Sequence, residues 1–281
     1  RDLLRDLSRD ADTTIGLVGE QTDAARRLES FKKYGDGFVI VMLGERGTGK
    51  SRAVHQVFGH GSGRFVELNC AEFGADLNLA RSLLFGHKKG AFTGAVKDVP
   101  GAFQKAHGGT LYLDEIHHLS KSMQAMLLLA LQTNEKGEFR FRQLGSTETE
   151  TSRFQLVVAS NADDAVLRTE LLPDFWDRIH QRTVRLPHVA KGEERVAAWN
   201  AVWMHLKLTM AVNPLAESCE CRRRFAEWLD TLELPGNFRD LERVAILSAD
   251  LQRAAHAGDE KLRTSYFPIG DDAQDPWWFR A

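Results

Sequence analysis

The sequence predicts an α/β domain, a parallel sheet with helices on both faces, followed by a small all-helical domain. Three observations carry that expectation. Wholly apolar runs recur without the polar alternation of a half-exposed strand: "FVIVML" (Phe38–Leu43), "RFVEL" (Arg64–Leu68), "TLYLD" (Thr110–Asp114) and "FQLVVAS" (Phe154–Ser160). Segments rich in helix formers separate them, as in strands that run parallel and are covered on both sides. Beyond about Pro187 the strand signals stop, and Trp- and Leu-striped segments follow.

In chain order, "RDLLRDLSRDA" has apolar residues at helical spacing and reads as the end of a linker helix, residues 1–14. "EQTDAARRLESFKKYG" reads as a second helix that stops at Gly35. The four apolar runs and the helices between them make up the α/β domain, residues 15–187. "RVAAWNAVWMHLKLTM", "CRRRFAEWLDTLEL" and "NFRDLERVAILSADLQRAAH" are the helices of the second domain, residues 188–257. A polar tail ending in "DPWWFRA" occupies residues 258–281.

Composition narrows the function. With 43% hydrophobic content over 281 residues the chain can build one large or two modest cores. Its 37 basic and 39 acidic residues give a formal charge of −2, so no global field draws it to nucleic acid or an anionic membrane. The run "AMLLLAL" (Ala125–Leu131) is far too short to span a bilayer. Three cysteines make no disulfide framework, and a reducing, cytoplasmic setting is expected. The chain opens on Arg1 rather than Met, as an excerpt of a longer protein would.

The chemistry begins at "GERGTGKS", residues Gly44, Glu45, Arg46, Gly47, Thr48, Gly49, Lys50 and Ser51, directly after the first apolar run. Glycines at these positions let successive backbone N–H groups converge on phosphate oxygens. Lys50 supplies a point charge at the outer phosphates, and Ser51 a hydroxyl for Mg²⁺. ATP with Mg²⁺ is the expected ligand. In "GGTLYLDEI" the acid Asp114 ends an apolar run some sixty residues later and Glu115 follows it. Asp114 suits the metal, and Glu115 suits polarising an attacking water, a pairing that favours hydrolysis over nucleotide switching. Asn161 ends the next run, where an amide can position water or sense the γ-phosphate.

These motifs, their order, and "LFGHKKGAFTGA" between them resemble the AAA+ domain of bacterial enhancer-binding proteins, the activators of RNA polymerase carrying sigma-54. The resemblance spans about Ile15 to Ala255 and includes "RFVELNCAEF", "MQAMLLLALQ", "GEFRFRQLGS" and "LPGNFRDLERV". It implies a P-loop AAA+ sheet, a helical lid, a homo-oligomeric, hexameric ring, and sigma-54 with RNA polymerase as partners. DNA would be reached only through domains not present in this chain, and no membrane is implied. In the loop "GAFTGA", Gly90 and Gly94 permit turn geometry, and Phe92 and Thr93 are expected at an exposed tip that grips sigma-54. "GEFRFRQLGSTET" resembles the hairpin that supports that loop.

The resemblance also implies that Asn69 restrains Glu115, that "IGLVG" with Val18 and Gly19 contacts adenine, and that Arg239 reaches back to the phosphates. The segment "LLPDFWDRIHQR" stands where the family shows two arginine fingers. Arg178 falls at the second and Leu172 occupies the first; either Arg182, one helical turn on, substitutes, or Arg178 acts alone. No helix-turn-helix segment follows the lid. His117-His118 are not expected to hold a metal without a further ligand, nor Cys219-x-Cys221 without partners. Two other readings stay open: a ring ATPase of the same lineage with another client, for example an antiphage-defence remodelling or sensing subunit, and a nucleotide-gated scaffold with weak turnover.

Overall fold

The computed structural model describes residues 20–34, 39–59, 64–74, 76–206, 213 and 219–257. The expected linker helix, Val18, Gly19 and the Trp277-Trp278 tail lie outside them. The chain divides into two compact units. One comprises Asp23–Glu45 and Lys50–Leu186; the other takes in Arg46–Gly49 and the chain from Pro187 onward.

Helix α1 (Glu20–Tyr34) leads to β1 (Ile40–Leu43), whose four residues are all buried. Helix α2 (Lys50–Phe58) starts at the P-loop lysine. Strand β2 (Phe65–Asn69) ends in an asparagine that caps a short 3-10 turn, Cys70–Phe73, by accepting from the Ala71 N–H. Asp76 likewise caps α3 (Leu77–Phe85), accepting from Asn78 and Leu79. After α4 (Ala102–Lys105) comes β3 (Thr110–Asp114), then α5 (Lys121–Ala130), with Ser120 as its N-cap. A two-stranded antiparallel pair, β4 (Phe139–Phe141) and β5 (Glu150–Ser152), precedes β6 (Gln155–Ser160), α6 (Asp164–Glu170), α7 (Pro173–Ile179) and β7 (Arg182–Arg185).

The five long-range strands pair in the order β2-β3-β6-β1-β7, every pairing parallel. Consecutive residues of a strand face opposite sides. The unbroken burial of β1 and of β3 through Leu113 therefore means both faces of the sheet are covered. Edge strand β2 is only half-buried along its length. Beside the sheet core, Phe103 gathers Phe85, Phe141 and Phe154 at ring separations of 5.0, 5.3 and 5.0 Å, fastening β4–β5 to α3 and α4. Such aromatic contacts add about 0.5–1.5 kcal/mol each beyond area burial.

The second unit is helical among its described residues: α8 (Glu193–Leu206), α9 (Cys219–Thr231) and α10 (Phe238–Ala257). Its core is Trp199, Val202, Phe225, Leu229, Leu241 and their neighbours, all essentially inaccessible. Trp199 lies 4.9 Å from Phe225 at 61°, and its indole N–H donates to Asn213 Oδ1 at 2.9 Å. Among the described residues no helix is long and apolar enough to cross a membrane.

Candidate functional site

Parallel pairing puts the carboxyl ends of β1, β3 and β6 on one edge, where open α/β sheets take their ligands. Register aligns Leu43 with Ser160, Leu113 with Val158, and Asn69 with Asp114. The P-loop, the acidic pair and Asn161 thereby leave the sheet side by side.

Lys50 is 8% exposed and folds back over its own loop. Its ammonium donates to the carbonyls of Gly44 at 2.6 Å and Glu45 at 2.9 Å. Ser51, one residue on, donates its hydroxyl to Asp114 Oδ2 at 3.1 Å. The expected metal ligands are thus adjacent, and a hydroxyl beside a carboxylate is the all-oxygen pair that Mg²⁺ favours. Ser51 also meets the Tyr112 hydroxyl at 3.2 Å. Tyr112 is fully buried, and burial, followed by the charge of Asp114, pushes its phenol above the ordinary range, so it stays protonated. Motif spacing does not point to this residue. The signal was available: a phenol inside an apolar strand needs a partner for its O–H.

Glu115 adopts the left-handed conformation, φ 52° and ψ 46°. Non-glycine residues rarely do so outside turns and functional sites. The Asp114 carboxylate accepts the Glu115 N–H at 2.9 Å and helps hold this bend. Asn161 Nδ2 donates to Glu115 Oε1 at 2.7 Å. The other oxygen, Oε2, is buried without a hydrogen-bond partner and lies 3.6 Å from His117 Nδ1. His117 is turned by Ser160, whose hydroxyl is 2.8 Å from the same nitrogen. Burial, and then the neighbouring His118, hold the His117 pKa below the usual histidine value.

Several expected site residues are placed differently. The Asn69 oxygen is taken by the Ala71 N–H, and the amide on Glu115 belongs to Asn161. Thr93 is exposed as expected, but Phe92 is half-buried, its ring edge-to-face on His87 at 4.9 Å. The exposed apolar side chain of this loop is Val96, 76% accessible. Gly90 and Gly94 have φ of 81° and 97° with open space where a Cβ would stand, so turn geometry selects glycine there. The loop closes through Gly90 N–H to Ala95 O at 2.8 Å and paired bonds between His87 and Val99 at 2.9 Å. Lys88 N–H donates to Leu144 O at 2.9 Å, tying the loop to the segment between β4 and β5.

Arg178 Nη2 donates to the Leu131 carbonyl at 2.8 Å, at the end of α5. Leu172 gives its N–H to Gln124 at 2.6 Å as the N-cap residue of α7. Arg182 is not on the next helical turn: α7 ends at Ile179 and Arg182 opens β7, its guanidinium 5.3 Å over the Phe31 ring. Arg239, exposed in the first turn of α10, follows a left-handed Asn237. Within that unit Asn237 Nδ2 donates to Arg46 O at 3.2 Å and Phe238 N–H to Gly47 O at 3.1 Å. A Cβ at Gly47 would meet Gly236 O at 2.0 Å, so only glycine allows this approach. A cleft of about 620 Å³ elsewhere, lined in part by Arg81, Met126, Leu129 and Arg140, includes none of the phosphate or acidic-pair residues.

Residues 17–185 match the family described as the Sigma-54 interaction domain. The transcriptional activator RocR of Bacillus subtilis is 34% identical over 214 residues, covering 73% of this chain and 43% of RocR. A Nif-specific regulatory protein of Sinorhizobium fredii is 34% identical over 245 residues, covering 85% of this chain and 39% of that protein. The chain spans about two fifths of the length of these curated relatives. Among solved structures, NtrX from Brucella abortus in complex with ATP superposes with a TM-score of 0.65 at 20% identity. The match covers 90% of this chain and 56% of NtrX, and it shows the fold alone.

Proposed function

Because this chain belongs to the Sigma-54 interaction domain family, we propose that it is the ATP-hydrolysing module of a sigma-54-dependent transcriptional activator. The observation that carries the reading is one cluster: Ser51 on Asp114, and Asn161 on Glu115, at the carboxyl edge of the sheet. ATP would lie along the P-loop, its phosphates drawing Lys50 from the carbonyls it now serves. Mg²⁺, held by Ser51 and Asp114, would supply charge neutralisation on the phosphates. Asn161 orients the Glu115 carboxylate, leaving the second oxygen to accept a proton from the attacking water. Arg239 of the lid domain, residues 188–257, would sense the phosphates of its own nucleotide, and Val18 and Gly19 would meet adenine.

In the proposed ring, a hexamer by family likeness, Arg178 reaches the next subunit's nucleotide after leaving Leu131 O. A guanidinium there stabilises charge on the transferring phosphoryl group. Turnover would move the Gly90–Ala95 loop against sigma-54 in the cytoplasm and remodel the RNA polymerase–promoter complex. Since Phe92 rests on His87, gripping the client requires that contact to open, which makes the ring a nucleotide-dependent anchor rather than a permanently extended tip.

The test is capture of purified sigma-54 by this chain with ADP–aluminium fluoride, beside Phe92→Ala. Binding that needs both the transition-state mimic and Phe92 is expected. Nucleotide-driven assembly without sigma-54 binding would overturn the assignment of client and leave a ring ATPase serving another one.

A further inference from the structure

We propose that Glu115, His117 and His118 form a binding site for a zinc-class divalent ion, separate from the Mg²⁺ expected at Ser51 and Asp114, and that its occupancy silences hydrolysis. The silencing half rests on the reading of Glu115 as the proton acceptor; the binding half does not.

The backbone builds the site. A left-handed residue feeding directly into the 3-10 turn Ile116–His118 folds the Glu115 side chain back toward the two that follow. One ligand atom from each of the three residues lies within 4.8 Å of those of the other two. Adjacent histidines alone did not make a site in the sequence; the bend at Glu115 brings in the third ligand that they lacked. The imidazoles sit 4.2 Å apart between centroids, tilted by 40°.

Two independent features point to a ligand. Glu115 Oε2 is buried with no hydrogen-bond partner, an acceptor that ordinarily demands one. His117 Nδ1, the nitrogen 3.6 Å from Glu115 Oε2, is held by the Ser160 hydroxyl at 2.8 Å, which fixes the ring and leaves Nε2 as its ligating nitrogen. Tetrahedral zinc with bonds of about 2.0–2.1 Å sets its ligand atoms about 3.4 Å apart, so a modest closure suffices. His118 is exposed and has room to swing in. Two imidazoles and one carboxylate select zinc or cobalt over Mg²⁺, which prefers oxygen ligands.

An ion here takes the Glu115 oxygen that would receive the proton from water. Ser51, Asp114 and Lys50 are untouched, so Mg–ATP still binds. Inhibition by zinc should therefore lower kcat and leave KM for ATP in place.

The experiment titrates the nucleotide-free protein with Co²⁺, read by its visible absorption, and with Zn²⁺ against a chromophoric chelator. Stoichiometric binding with a tetrahedral cobalt spectrum is expected. His118→Asn and Glu115→Gln should each weaken it by at least about tenfold, the scale on which even outer-sphere changes act. Absence of stoichiometric binding, or binding undiminished in both variants, overturns the site. Binding that is lost in the variants while zinc leaves the wild-type ATPase rate unchanged would keep the site, and would sink both the silencing and the role of Glu115 behind it.

Discussion

Replacing Glu115 with glutamine isolates its proposed chemistry from its structural role. Glutamine is isosteric, and its carbonyl can still accept from Asn161 Nδ2, the 2.7 Å bond that fixes the wild-type side chain. The second position, Oε2, has no hydrogen-bond partner to lose. Substitution exchanges one unmatched acceptor for an unmatched amide, so folding stability should barely move. What disappears is the capacity to take a proton. General-base catalysis contributes about 10²–10⁴-fold, or about 2.7–5.4 kcal/mol of activation free energy at 1.36 kcal/mol per tenfold. Steady-state phosphate release should fall by that factor. Affinity for a fluorescent ATP analogue should stay nearly constant, because the P-loop lysine and Ser51–Asp114 contacts are intact. A variant that turns over within about threefold of wild type, far inside the range expected for a lost general base, refutes the assignment. A parallel collapse of nucleotide binding would instead mean that Glu115 shapes the pocket.

Trp199→Ala should empty the centre of the helical unit, where Trp199 is fully buried, and cost about 3–5 kcal/mol in urea unfolding; a loss under about 1 kcal/mol would mean the core recloses. Asn237 holds φ 52° and accepts the Val189 N–H at 3.0 Å. Alanine and glycine both lose that bond, but only alanine suffers in the left-handed region, so Asn237→Ala should be about 1–2 kcal/mol less stable than Asn237→Gly by equilibrium unfolding. Asp98 accepts from the Lys89 N–H at 2.8 Å and from Lys88 Nζ at 3.2 Å, which together hold its carboxyl below the usual carboxylate range, the backbone bond most of all. A depressed carboxyl stabilises the fold above its unfolded pKa and ceases to as pH falls through the lower folded value. Amide exchange at Lys89 should therefore be faster in Asp98→Asn than in wild type at pH 6, and the difference should vanish once wild-type Asp98 is itself protonated. Equal exchange at pH 6 would show that the carboxylate does not hold this end of the loop.

Central strands are legible because burial on both faces leaves no place for a charged residue within them. "IVML" in β1 and "TLYL" in β3 are continuous for that reason. Strand β7, "RTVR", escaped notice because it is an edge strand with only Val184 buried. Its strand character comes from pairing with β1, Ile40 against Arg182, and a partner 142 residues away leaves no local apolar run. The same limit explains Arg182. Counting by helical turns from Arg178 assumes that the helix continues, whereas the chain leaves α7 at Ile179 and enters the sheet, carrying Arg182 toward Phe31.

At the site, motif spacing could supply Lys50, Ser51, Asp114 and Glu115, since each motif is a local backbone device with its side chains attached. It could not supply contacts that depend on strand order. Asn161 reaches Glu115 because β6 lies next to β3, although α5 and the β4–β5 pair intervene in sequence. Asn69 stands beside Asp114 in register, one strand further out, and its oxygen is already committed to the turn that follows. Two asparagines at two strand ends therefore look equivalent in sequence and are not. One caps its own chain; the other holds the carboxylate proposed to do the chemistry. Phe92 follows the same logic in reverse. An aromatic residue among glycines suggested a free tip, but His87, five residues back and fixed by Ser82 Oγ at 2.6 Å, provides a ring edge to rest on. The contact belongs to the closed loop, which the pairs His87–Val99 and Gly90–Ala95 define. The proposed engagement of a client by Phe92 would displace a ring contact of about 0.5–1.5 kcal/mol. That is small against the free energy of one ATP hydrolysed, and large enough to bias the resting loop toward its parked position.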